Sequence, residues 1–182
     1  MKTIKLLAVL FISTLIFTSC EDDRNDDDGE DEEELITTVN YRLTNGNDVV
    51  TLTFQDLDGE GGAEGTYTVS GTLAPNTSYT GEIELLNETE SPAEDITEEI
   101  EEEDDEHEFF YTTSAPGIEI TKTDMDGDGN PIGLKTSLVT GPSGSGTLTI
   151  VLKHEPTKPN NGTSADAGGS TDVEVTFDIQ VQ

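Results

Sequence analysis

The chain has 182 residues, of which 31% are hydrophobic and 5% aromatic, with no Trp, one Cys and a formal net charge of −32. A surface this acidic repels nucleic acid and anionic membrane faces, because phosphate binding needs clustered Lys or Arg, and it attracts cations instead. The length suits one domain, the lone cysteine excludes an intrachain disulfide, and the missing Trp argues against a broad stacking platform for sugars or bases.

Residues 1–19 read as a secretory signal peptide. Lys2 and Lys5 form a basic start, Leu6 to Phe17 carries no charge, and small polar residues lead into Cys20. The apolar run is shorter than the ~20 residues of a bilayer span. Phe17-Thr18-Ser19-Cys20 resembles a bacterial lipobox, with Phe17 where Leu is usual. The resemblance implies cleavage before Cys20 and attachment of a diacylglyceryl group to its sulfur. Residues 20–34 then form the predicted tether. After Cys20 comes EDDRNDDDGEDEEE, which contains no apolar residue and so predicts a disordered, solvated spacer. Fully extended it reaches ~50 Å. Acidic residues directly after a lipidated cysteine also resemble the export signal of Bacteroidota-type surface lipoproteins. That implies the outer face of the outer membrane.

From Leu35 the hydrophobic period is two. Leu35, Val39, Tyr41 and Leu43 share a face, Asn45-Gly46 signals a type I′ hairpin turn, and Val50, Leu52 and Phe54 alternate with Thr51 and Thr53. The pattern recurs at Tyr67/Val69/Leu73, Tyr79/Ile83/Leu85, Phe109/Tyr111, Ile118/Ile120, Leu134/Leu138, Leu148/Ile150/Leu152 and Val173 to Val181. Short alternating strands between turn-forming clusters predict a mainly β domain over 35–182, a single antiparallel immunoglobulin-like β-sandwich. One short helix is inserted. Ser91-Pro92-Ala93-Glu94 carries a capping pattern, and Ile96 and Ile100 share a helical face, so a helix is expected from about Pro92 to Glu103.

Two kinds of cation site stand open. In Asp124-Met125-Asp126-Gly127-Asp128-Gly129-Asn130, alternate carboxylates and Asn130 could point at one Ca²⁺, as in the first half of an EF-hand loop. Lys135 occupies the position of the closing Glu, and Asp/Gly-rich β-turns take the same composition without any ion. A weaker version, Asp56, Asp58 and Glu60, reads as a turn. The second candidate is a transition-metal site from His107, His154 and Glu155, residues near strand ends whose donor types suit Zn²⁺ or Cu²⁺. Solvated histidines are the alternative. No nucleophile motif such as G-x-S-x-G is present, and the glycine-rich Gly141–Gly146 lacks the Lys of a phosphate loop. An enzyme is therefore not expected.

Four phrases resemble a family of short flavobacterial surface lipoproteins. They are Leu86-Asn87-Glu88-Thr89-Glu90-Ser91-Pro92-Ala93-Glu94-Asp95-Ile96-Thr97-Glu98-Glu99, Asn130-Pro131-Ile132-Gly133-Leu134, Leu152-Lys153-His154-Glu155-Pro156 and Gly168-Gly169-Ser170-Thr171-Asp172-Val173-Glu174-Val175. Members are sometimes labelled "type 1 periplasmic binding fold". That fold is a two-domain α/β structure of about twice this length, and no βαβ alternation is visible in the chain. The resemblance implies TonB-dependent outer-membrane receptors as neighbours. Two functions follow as expectations. One is a lipid-anchored, non-catalytic envelope module that binds a cation or small ligand beside such a transporter. The other is a structural or adhesive envelope domain with Ca²⁺ bound only for stability.

Overall fold

Alternation of apolar and polar residues puts one side of each strand under a neighbour and the other in water, and the chain folds accordingly into two antiparallel sheets. The computed structural model describes residues 34–59, 62–89 and 91–182, within a unit spanning Glu33–Gln182. The signal peptide, Cys20, the acidic tether before Glu34, and Glu60 lie outside the described residues.

In chain order the strands are β1 (Thr38–Asn45), β2 (Asp48–Gln55), β3 (Thr66–Val69), β4 (Ser78–Asn87) and β5 (Glu94–Asp95). After helix α1 (Ile96–Glu102) come β6 (His107–Thr113), β7 (Glu119–Lys122), β8 (Lys135–Val139), β9 (Gly144–His154), the short helix α2 (Ser164–Ala167) and β10 (Ser170–Val181). The larger sheet runs β3-β2-β1-β4-β8-β7, with β5 pairing β4, and the smaller runs β10-β9-β6. The domain is thus a mainly β, antiparallel sandwich.

The core lies between the sheets. Val39, Tyr41 and Leu43 of β1, Ile83 and Leu85 of β4 and Leu138 of β8 meet Phe109 of β6, Leu148, Ile150 and Leu152 of β9, and Phe177 of β10. The Tyr41 and Tyr111 rings lie 5.6 Å apart across the gap. Each hydroxyl has a partner, Thr136 Oγ1 at 2.7 Å and the Gly133 carbonyl at 2.6 Å, as buried phenols require.

Three local details differ from expectation. The first hairpin pairs Asn45 with Asp48, so its central residues are Gly46 and Asn47, and only Gly46 takes a positive φ, 60°. Gly at the first central position belongs to the II′ family rather than I′. Leu35 precedes β1 and is 54% exposed, outside the apolar face it was expected to join. Helix α1 begins four residues later than Pro92. Asp95, not Ser91, is its cap and accepts from the Thr97 amide at 3.0 Å, while Glu94 and Asp95 pair with β4. Strand pairing with Leu86 and Asn87 takes the residues that a first helical turn would need.

Candidate functional site

Strand register brings the two histidines together. His107 opens β6, His154 closes β9, and the two are direct cross-strand partners. Each continues the inward-facing series of its strand, Phe109 and Tyr111 on one side, Leu152 and Ile150 on the other. Their rings stack with centroids 4.8 Å apart and planes 18° from parallel. The histidines therefore cap the end of the core.

Two carboxylates join them. Glu34, four residues before β1, places Oε1 2.9 Å from His107 Nε2, with its side chain only 7% exposed. Asp172 is the extra residue where the β10–β9 register shifts between Thr171 and Val173. A bulge redirects a side chain in this way. Its carboxylate is fully buried, with Oδ2 4.0 Å from the same His107 nitrogen. The start of β10 comes this close because Gly169, at φ 65°, has no side chain. A Cβ there would lie 2.0 Å from the His154 carbonyl oxygen.

The tautomer of His107 follows from its other side. Nδ1 lies 3.2 Å from the Glu103 carbonyl oxygen, which can only accept, so Nδ1 donates. In the neutral ring this leaves a lone pair on Nε2 facing Glu34. The contact lacks the alignment of a hydrogen bond, and both His107 Nε2 and Glu34 Oε2 are without a hydrogen-bond partner among the described residues. Burial alone would lower the His154 pKa. The charges of Asp172 and Glu34, with Glu106 and Glu155 beside it, outweigh burial and raise it above the ordinary histidine value.

Donor atoms of Glu34, His107 and His154 all lie within 4.8 Å of one another, a spacing that can close on one metal ion. Glu155 belongs elsewhere. It sits in a second, exposed group with Glu106 and His154, where the Glu106 carboxylate is 3.6 Å from His154 Nε2. Glu34, Asp172 and Glu106 went unrecognised in the sequence. Glu34 looks like the last residue of a solvated acidic run, and nothing local announces the bulge at Asp172. A groove of about 490 Å³ leads to the buried group, with Glu34, Asp172, Thr171, Ile36, Phe54 and Thr89 among its walls.

The aspartate loop is built differently. Asp126 Oδ1 accepts from the amides of Asp128 at 3.0 Å and Asn130 at 2.7 Å, and Oδ2 faces Lys158 Nζ at 3.3 Å. Asp124 accepts from the amides of Gly133 and Lys135. These carboxylates turn inward onto the backbone. Among the described residues, Asp124, Asp126 and Asp128 do not converge at metal-ligand spacing. Asp56 likewise accepts from the Gly59 amide and Asp58 from the Ala63 amide, as turn residues do.

Among the described residues no helix is long and apolar enough to cross a membrane. Comparison of the chain with protein-family models, curated proteins and solved structures found no match.

Proposed function

We propose that this chain is a lipid-anchored cell-envelope binding module, attached through Cys20 and capturing a cation at the His107–His154 end of its sandwich. The observation that carries the capture reading is the meeting of two histidines and two buried carboxylates, from four distant parts of the chain, at one end of the core. Burying such groups is costly unless their charges are balanced. The anchor rests on the lipobox-like Phe17-Thr18-Ser19-Cys20. A TonB-dependent receptor as neighbour rests on the family resemblance alone. Binding is favoured over turnover because the sequence offers no nucleophile motif.

Two measurements test the reading. Cys20→Ser should move the protein from the detergent phase to the aqueous phase on partition, and unchanged partition removes the anchor. Equilibrium dialysis of the full chain against a panel of divalent cations should leave a cation bound after extensive washing. Retention of none removes the capture role.

A further inference from the structure

We infer that Glu34, His107 and His154 form a site for a divalent transition ion of the Zn²⁺ class, with a fourth position open to the groove. This deepens the capture reading and rests on it.

Donor chemistry selects the ion. Two imidazole nitrogens and one carboxylate suit Zn²⁺ and its neighbours, whereas Ca²⁺ and Mg²⁺ prefer an all-oxygen shell. All three donors lie within 4.8 Å of one another, and one pair already has a ligand spacing. Ligand atoms each about 2.0 Å from a Zn²⁺ lie roughly 3 Å from one another. Glu34 Oε1 and His107 Nε2 are 2.9 Å apart without being hydrogen-bonded. The Glu103 carbonyl on Nδ1 presents the Nε2 lone pair, the form in which histidine binds metal, and such outer hydrogen bonds commonly orient metal-bound rings.

Charge points the same way. The Glu34 side chain is only 7% exposed, and a divalent ion held by it and two neutral imidazoles would offset its charge. Asp172, with Oδ2 4.0 Å from His107 Nε2, acts here as a positioning residue. Three protein ligands leave a tetrahedral ion one position short. Glu34 lines the groove, and with Asp56, Asp58 and Asp172 also in its walls that position faces water rather than an anion.

The test uses the full chain in detergent, stripped with chelator, then titrated with Zn²⁺ and Co²⁺ in millimolar Ca²⁺ and Mg²⁺ that occupy the unspecific acidic surface. One ion per chain should bind, and Co²⁺ should show the visible absorption bands of a four-coordinate site. His107→Ala and Glu34→Gln should each weaken Zn²⁺ binding by about tenfold or more, as loss of a ligand demands. Asp126→Asn should leave it unchanged. His107→Ala empties a fully buried position, so Glu34→Gln, isosteric and outside the strands, carries the test if the former fails to fold by circular dichroism. Unchanged Zn²⁺ affinity in Glu34→Gln, or displacement of Zn²⁺ by Ca²⁺, overturns this ligand set while leaving cation capture standing. Absence of any bound cation overturns both.

Discussion

Asp126 shows how a side chain that looks like a ligand can be spent on its own loop. Burial alone would raise its pKa. The Asn130 amide bonds and the ammonium of Lys158 outweigh burial and hold the carboxyl below the ordinary aspartate value. A carboxylate with a depressed folded-state pKa contributes stability that is present above its unfolded value. That contribution is lost as pH falls through the folded value. Acid unfolding followed by circular dichroism should therefore show the wild type losing this increment below about pH 4, the ordinary aspartate range. Asp126→Ala should be less stable by roughly 1–2 kcal/mol at neutral pH and should close that gap in acid. A constant gap across the titration would contradict the assignment.

At the level of elements, α1 depends on a cap that the sequence disguises. Asp95→Ala removes the acceptor for the Thr97 amide and should cost about 1 kcal/mol in urea unfolding. Ser91→Ala, outside the helix, should cost nothing measurable. The contrast between the two residues shows where sequence reading stops. Strand identity was legible because alternation is local, and the runs at Val39, Leu52, Ile83, Phe109, Ile150 and Phe177 all reach the core. Ile96 and Ile100 likewise mark the buried face of α1. The helix start was not legible, because pairing of Glu94 and Asp95 with β4 is a tertiary competitor to a local capping pattern. The site was half legible. His107 and His154 stand out as residue types, but their meeting depends on the β6–β9 register, and Asp172 depends on a bulge that no short motif encodes.

Over the whole molecule, the four lysines among the described residues are already committed. Lys122 is paired with Glu108 and lies 4.3 Å over the Phe110 ring, and Lys158 holds the Asp104 carbonyl and Asp126. Lys135 meets Glu101, and Lys153 meets the Gly169 carbonyl and Thr171. Little positive charge is left to offset the acidic surface, so added salt should raise the melting temperature by screening self-repulsion. CaCl₂ and MgCl₂ at matched ionic strength should raise it equally, since the Asp124 and Asp126 oxygens are already held within the fold. An excess for Ca²⁺ that disappears in Asp128→Asn would return an ion to that loop. The placement of Glu34 has a mechanical consequence. A pull arriving along the chain from residue 33 reaches Glu34 first and then β1, which is zipped to β2 on one side and β4 on the other along nearly its whole length. Ladder bonds lie across the strand axis. Drawing β1 out lengthwise must therefore shear both ladders together rather than peel one bond at a time. An ion shared by Glu34 and the smaller sheet would take the load before either ladder does.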